Sequence, residues 1–273
     1  MPERRGLVKV AYWGNCRKSG VTCALTAIGL TAVLTYPFKI TIFENHYSEN
    51  GVLRYLFPRK WPYCVAEPVH HYREGFFHEN QHRMQNAGSM ADYPVIELLE
   101  KGLYYVPQFT KNADLFDYQF HCNLMPVLKR YSEIAFIDTQ RGNALSSKMI
   151  LEEADVVVVL LKQDMYEIQS FFQNYSSLIP RAFFIISDYQ RKSKNNLAKI
   201  ISEFGFRKDC IGVIPHSEEF QFAAGYGRMI EYISTNYVGK GTREDYYFMQ
   251  ELKKTTFLLM QKVAFDRRLG EVF

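Results

Sequence analysis

The sequence predicts a single α/β domain built on a doubly wound, mainly parallel β-sheet. Three observations lead to this fold class. Short, almost wholly apolar runs of strand length recur along the chain, segments with helical periodicity separate most of them, and glycine or polar residues follow directly after several of the apolar runs. Strands that are apolar on both faces and alternate with helices of about 10–15 residues are typical of parallel sheets with helices on both sides.

The elements follow one another in a regular order. The first strand contains the apolar residues Leu7, Val8, Val10, Tyr12 and Trp13, and a loop and a helix ending near Leu34 follow it. Further strands are predicted at 39–43, 102–107, 134–137, 156–161, 182–186 and 211–214. Helices are predicted at 94–101, 115–130, 144–153, 166–178, 195–204, 220–233 and 242–268. Residues 47–93 show no clear alternation of strands and helices, so we predict an irregular insertion there, within one domain that spans 1–273.

Composition excludes several classes of protein. The apolar content of 47% and charged content of 23% are those of a globular protein, and the net charge of +4 is too small to indicate nucleic-acid binding. The five cysteines are odd in number and contain no C-x-x-C pair, which predicts neither a disulfide framework nor a cysteine zinc site. No signal peptide and no apolar run of about 18 residues is recognisable. We therefore expect a cytoplasmic protein without a transmembrane segment.

The loop after the first strand has the layout of a phosphate-binding loop. A strand, a flexible loop and a helix N-terminus together present backbone N–H groups to an anion. The P-loop pattern is G-x-x-x-x-G-K-S/T. Gly20 and Thr22 fit this pattern, whereas its first glycine position holds Asn15, with Gly14 adjoining, and its lysine position holds Val21. The loop is therefore an imperfect P-loop.

Other polar segments are expected at the same edge of the sheet. In doubly wound sheets ligands bind beyond the carboxyl ends of the strands. The predicted strands place five segments there: 14–22, 44–46, 138–143, 187–189 and 215–218.

Together these segments carry a resemblance to a known family. WGNCRKSGVT lies at the position of a deviant Walker A loop, and IDTQRGN is similar to a switch segment usually written DxPAG, with Asp138 and Gly142 retained. ADVVVVLLKQD, FIISDY and IGVIPHSEEFQFAAGYG are similar, in the same order, to the later strands of that family. The chain thus resembles the MinD/ParA class of P-loop ATPases, and among these most closely the divergent members related to TadZ, a pilus-assembly localisation protein.

The resemblance implies a nucleotide site. ATP or ADP with Mg²⁺ is the implied ligand, bound weakly or as a vestige. Asp138 would hold a water bound to Mg²⁺; the alternative is that it only caps the turn after its strand. The residues implied in binding are Gly14, Asn15, Arg17, Lys18, Ser19, Gly20, Val21, Thr22, Asp138, Asp188 and Pro215.

The departures from the family concern catalysis. The two lysine positions hold Cys16 and Val21, and His46 stands where a water-positioning acid is expected, next to Glu44. Positive charge and water orientation supply most of phosphoryl-transfer catalysis. The sequence therefore favours a positioning or assembly factor that acts through protein contacts, with weak or absent ATPase activity. The alternative is an active ATPase that uses Arg17 or Lys18 in place of the lost lysines.

A third hypothesis comes from the H-E-x-x-H segment His78, Glu79 and His82. On a helix the two histidines would share a face and could bind zinc, with the glutamate as general base. The flanking residues are not those of an apolar helix, and no third ligand stands at a convincing spacing. The sequence therefore predicts no metal site here.

The last predicted helix, 242–268, is amphipathic, with Thr242 as its cap. Some MinD-like proteins end in a membrane-binding helix, but we predict a core helix that buries Tyr246, Met249, Leu252, Phe257, Met260 and Val263, so peripheral membrane contact is not favoured. Protein partners, with a homodimer among them, are expected. Because Cys16 replaces the lysine that bridges dimers in the family, we expect association to depend on aromatic residues of 47–93 and not on ATP.

Overall fold

A computed structural model describes residues 6–45, 51–58, 95–100, 102–106, 118–139, 145–239 and 241–267. Its centre is an eight-stranded sheet in the order β3-β4-β2-β5-β1-β6-β7-β8, in which only the β3–β4 pair is antiparallel. This confirms the predicted fold class. The strands are β1 (Val8–Gly14), β2 (Ile40–Asn45), β3 (Ile96–Leu99), β4 (Leu103–Val106), β5 (Ile134–Thr139), β6 (Val156–Lys162), β7 (Ala182–Tyr189) and β8 (Ile211–Pro215).

Helices cover both faces of the sheet and divide the core into two layers. The α-helices are α1 (Val21–Thr35), α2 (Gly51–Leu56), α3 (Tyr118–Tyr131), α4 (Leu145–Glu153), α5 (Met165–Asn174), α6 (Leu197–Phe204), α7 (Glu218–Gly225), α8 (Met229–Tyr237) and α9 (Arg243–Arg267). Helices α1, α2, α7, α8 and α9 pack on one face, and α3 to α6 pack on the other. The strands that were predicted from their apolar runs are buried between these layers, as their composition requires.

The helix predicted at 94–101 is wrong. Ile96–Leu99 is instead β3, which pairs antiparallel with β4 and has an irregular register between Glu97 and Leu99. The amide of Gly102 donates to the carbonyl of Leu99 at 3.2 Å and closes the turn between the two strands. The segment is rich in helix-forming Leu and Glu, but pairing with the neighbouring strand overrides that local preference.

Two further predicted helices differ from the structure. The helix predicted at 220–233 is divided into α7 and α8, because Gly227 between them has φ +72° and a Cβ there would lie 2.1 Å from the carbonyl oxygen of Phe57. The helix predicted at 166–178 ends at Asn174, and a 3₁₀ helix, Ser176–Arg181, follows it.

Part of the predicted insertion belongs to the core. Within 47–93 the structure describes residues 51–58, and Gly51–Leu56 forms α2 there. Val52, Leu53 and Leu56 are buried in the same core layer as α1. The rest of 47–93 lies outside the described residues.

Helix α9 is a core helix, as predicted. Thr242 caps it, since its hydroxyl accepts from the amide of Asp245 at 3.2 Å. The helix packs along β8, where Thr255 bonds to Val213. The prediction is wrong for Tyr246 and Phe257, whose side chains are 57% and 43% exposed. The buried stripe of the helix instead includes the residue two positions after each of them, Phe248 and Leu259. It consists of Phe248, Met249, Leu252, Thr255, Thr256, Leu259, Met260 and Val263. None of the helices in the described ranges is long and apolar enough to cross a membrane.

Candidate functional site

The loop between β1 and α1 folds back tightly over the end of its strand. Gly14 is required there, because a Cβ on it would lie 2.1 Å from Ser19 Oγ. Lys18 and Gly20 have left-handed backbones, with φ +57° and +81°. No side chain caps the first turn of α1 within the described residues. The N–H groups of this turn are therefore suited to an anion, which the helix N-terminus also attracts.

Thr22 and Asp138, both predicted site residues, meet beside this loop. Asp138 lies near the end of β5 next to β1 and is 1% exposed, and the hydroxyl of Thr22 donates to its Oδ2 at 2.5 Å. A hydroxyl and a carboxylate beside a phosphate-binding loop are the oxygen ligands that Mg²⁺ takes in P-loop proteins. These two residues therefore fit a Mg²⁺ ion bound together with a phosphate chain.

A second buried carboxylate, Glu44, stands at the end of β2 next to Asp138 in the sheet register. Its Oε1 accepts from the amides of Gly51 at 2.7 Å and Val52 at 3.1 Å, and the hydroxyl of Tyr105 donates to its Oε2. Glu44 thus fixes the start of α2. The sequence shows Glu44 near the position of the water-positioning acid but gives no signal for this structural role. His46, the residue at the expected position of the water-positioning acid, lies outside the described residues.

A cleft of about 240 Å³ adjoins the loop. It brings together the loop, the first turn of α1, the ends of β7 and β8, and α7. The predicted residues Asp188 and Pro215 line it together with Lys18, Ser19 and Gly20. Its other lining residues are Cys23, Ala24, Ser187, Ile214, Phe220 and Gln221. Burial raises the pKa of the Cys23 thiol to about 12, with Arg54 opposing the shift, so the thiol is neutral at physiological pH.

Asp188, which lines this cleft, contacts two neighbouring side chains. Its backbone is left-handed, with φ +52°. Its Oδ1 lies 2.6 Å from Nδ1 of His216 and accepts from Nε2 of Gln221 at 3.1 Å. A strained backbone that is held by several contacts is common at ligand sites. His216 and Gln221 were not among the predicted site residues, although both lie in the segment IPHSEEFQ that resembles the family.

Three predicted site residues take other positions. The side chain of Asn15 points to α5, where its Nδ2 donates to the carbonyl of Glu167 at 2.9 Å. Arg17 is exposed and does not line the cleft. Val21, at the lysine position, lies over the loop, with its Cγ2 3.1 Å from the point where a Cβ of Gly14 would be.

The zinc hypothesis concerns residues that the structure does not describe. His78, Glu79 and His82 are all among them. Within the described ranges, no group of three or more His, Cys, Asp or Glu side chains is placed to hold a metal ion.

Comparison with known proteins gives matches among solved structures only. Neither a protein-family model nor a curated protein matches the sequence. MinD from Pyrococcus horikoshii, solved with Mg-ADP, superimposes with a TM-score of 0.66 at 12% identity, over 95% of this chain and 98% of that one. The chain has the MinD/ParA fold.

Two further structures agree. A putative plasmid partition protein from Borrelia burgdorferi bound to AMPPNP gives a TM-score of 0.66 at 11% identity, over 94% of this chain and 99% of that one. The MinC:MinD complex from Aquifex aeolicus gives 0.63 at 14% identity, over 93% and 96%. At such identities the likeness establishes the P-loop NTPase fold and not the activity.

Proposed function

We propose that this chain is a MinD/ParA-like protein, related to TadZ, that binds Mg-ATP or Mg-ADP but hydrolyses it weakly or not at all. It would act in the cytoplasm as a positioning or assembly factor through protein contacts. The observation that carries the proposal is the combination of a Thr22–Asp138 pair beside an uncapped helix N-terminus with valine in the lysine position.

Retained binding is supported by groups that do not depend on the lost lysines. Backbone N–H groups and a helix N-terminus bind phosphate without a charged side chain. Thr22 and Asp138 supply oxygen ligands for Mg²⁺. The adjoining cleft has apolar walls from Ile214, Pro215 and Phe220, which suit the faces of a nucleobase.

Weak hydrolysis is supported by the positions of Val21 and Glu44. The lysine of a P-loop brings positive charge to the β- and γ-phosphates. Val21 cannot do this, and its side chain packs over Gly14. Glu44 is occupied by the amides of α2 and by Tyr105, so it is not placed to activate a water molecule.

The proposed role in positioning follows from the proteins that share the fold. One of them is a plasmid partition protein, and another is MinD in complex with MinC. We extend protein partners, with a homodimer among them, to this chain. Peripheral membrane contact through α9 is not favoured, because the buried stripe of that helix is packed against the sheet and α1.

An active ATPase is the alternative, and Lys18 favours it more than Arg17 does. Lys18 lines the cleft from a left-handed backbone position, whereas Arg17 does not line it. If the chain turns over ATP, we expect Lys18→Ala to abolish the activity.

The test is a titration of fluorescent Mg-ATP followed by a turnover assay. Binding is expected, with release of phosphate near background, and Asp138→Asn should weaken the Mg²⁺-dependent part of binding. Thr35→Ala, at the opposite end of α1 from Thr22, serves as control and should change nothing. A kcat of about 1 s⁻¹, as in ordinary enzymes, would refute the proposal of lost hydrolysis. Absence of any nucleotide binding would refute the nucleotide site.

A further inference from the structure

Helix α2 places its first residue directly against the phosphate-binding side of α1. Glu44 bonds to the amides of Gly51 and Val52 and so fixes the start of α2. A Cβ on Gly51 would lie 3.0 Å from Thr22 Cγ2 and 3.0 Å from Glu44 Oε1. The start of α2 is therefore in contact with the residue that pairs with Asp138.

Arg54 and Tyr55 share the face of α2 on which Gly51 lies. They follow Gly51 by three and four residues, which is the spacing of neighbours on one face of a helix. The guanidinium carbon of Arg54 lies 5.3 Å from the centre of the Tyr55 ring, in a cation–π arrangement. Arg54 is exposed, while Val52, Leu53 and Leu56 are buried. This face of α2 thus directs a cation to the region around the N-terminus of α1.

The electrostatics of neighbouring groups agree with this placement. Cys23, which lines the cleft, lies close enough to Arg54 to experience its positive charge. Burial raises the pKa of Tyr55, and the positive charge of Arg54 beside it opposes that shift. The positive charge of Arg54 therefore reaches the wall of the cleft at Cys23. In the described part of the chain no carboxylate forms an ion pair with Arg54.

We propose that Arg54 binds the phosphate chain of the nucleotide and supplies the positive charge that Val21 cannot. This rests on the proposed nucleotide site. A guanidinium offers two parallel N–H donors to non-bridging phosphate oxygens, and it is less strongly hydrated than a lysine ammonium. The positive charge would come from α2 and not from the loop between β1 and α1. In this role Arg54 is a binding group for di- and triphosphates.

The test separates phosphate recognition from base recognition. Three ligands are titrated by calorimetry: Mg-ATP, Mg-pyrophosphate, which has no base, and adenosine, which has no phosphate. Removal of a charge-assisted hydrogen bond to phosphate lowers the affinity by roughly 10- to 100-fold. Arg54→Ala and Arg54→Gln are expected to weaken Mg-ATP and Mg-pyrophosphate by this factor and to leave adenosine unchanged, and Arg54→Lys should restore part of the loss.

Arg207 provides the matched control. It is an exposed arginine just before β8, at the end of the sheet opposite the cleft, and it pairs with Asp209. Arg207→Ala should leave all three affinities unchanged. Wild-type affinity for Mg-ATP in Arg54→Ala and Arg54→Gln would overturn the role of Arg54 while leaving the nucleotide site standing. An equal loss for adenosine would also overturn it, and a wild-type protein that binds neither Mg-ATP nor Mg-pyrophosphate would overturn both proposals.

Discussion

Replacing Thr255 by valine should cost more stability than any other removal of a single hydroxyl from α9. The hydroxyl of Thr255 accepts from the amide of Val213 at 2.9 Å and donates to the carbonyl of Val213 at 2.8 Å, and all of these groups are buried. β8 is the last strand of the sheet and pairs with β7 on one side. Thr255 thus satisfies both backbone groups of one residue on the outer edge of β8.

The magnitude follows from the two groups left without partners. Valine keeps the shape of threonine, so Thr255→Val creates almost no cavity. A buried polar group that loses its partner lowers the free energy of unfolding by about 1–3 kcal/mol. For the amide and carbonyl of Val213 together we expect about 3 kcal/mol, toward the lower end of the summed range. At roughly 2–4 °C per kcal/mol, the melting temperature should fall by roughly 6–12 °C.

The adjacent Thr256 is the control, because it is equally buried at 1% exposure. Its hydroxyl donates to the carbonyl of Leu252 at 2.8 Å, within its own helix. That carbonyl keeps its helical hydrogen bond, so Thr256→Val should cost less than about 1 kcal/mol. Urea unfolding followed by circular dichroism measures both variants. Equal destabilisation of the two variants would refute the claim that α9 completes the edge of β8.

Three other predictions follow from the structure and the sequence. Gly14→Ala should weaken Mg-ATP binding at least roughly 10-fold, measured by fluorescence anisotropy, because the added Cβ would lie 2.1 Å from Ser19 Oγ. Gly225→Ala is the control, because nothing lies within 4 Å of the added carbon, and it should leave the affinity unchanged. Equal affinities of the two variants would contradict this prediction. Burial raises the pKa of Asp245, but hydrogen bonds from Thr242 and Tyr232 outweigh it, so the net shift is downward. The contribution of Asp245 to stability is therefore present above its unfolded pKa of about 3.9 and is lost as pH falls through the lower folded value. In urea titrations at different pH values, Asp245→Asn should reduce the loss of stability at acid pH, and an unchanged loss would contradict this. Elemental analysis should find no stoichiometric zinc, and one zinc per chain that is lost in His78→Ala would contradict this.

The parts of the fold that the sequence predicted are those whose signal is local. The run from Val156 to Leu161 is apolar throughout, and its length and valine content are typical of a strand that is buried on both faces. Gly14, Gly20 and Thr22 predicted the loop, because the backbone freedom of glycine is intrinsic to the residue and the P-loop spacing is visible along the chain. Asp138 could be placed beside the loop because parallel strands end at one edge of the sheet.

The parts that the sequence missed depend on partners that are distant in the chain. Three of the four residues of β3, Glu97, Leu98 and Leu99, are of helix-forming type, and the pairing with β4 makes the segment a strand. Helix α2 has six residues, too few to show a period, and its start is fixed by Glu44 from another element. The contact of Asp188 with His216 and Gln221 depends on side-chain distances across two strands and a helix, which spacing along the chain does not encode.

The bond between Thr255 and Val213 also has a consequence for aggregation. An open strand edge is a template on which another chain can add a strand, and fibrils grow in this way. At β8 the amide and carbonyl of Val213 are already bonded to a helix of the same molecule, so an added strand would have to displace α9 first. The opposite margin is β3, a four-residue strand with an irregular register, which makes a poor template. Damage to the α9 contact would thus expose a continuous apolar strand, so Thr255 protects the chain against templated assembly as well as against unfolding.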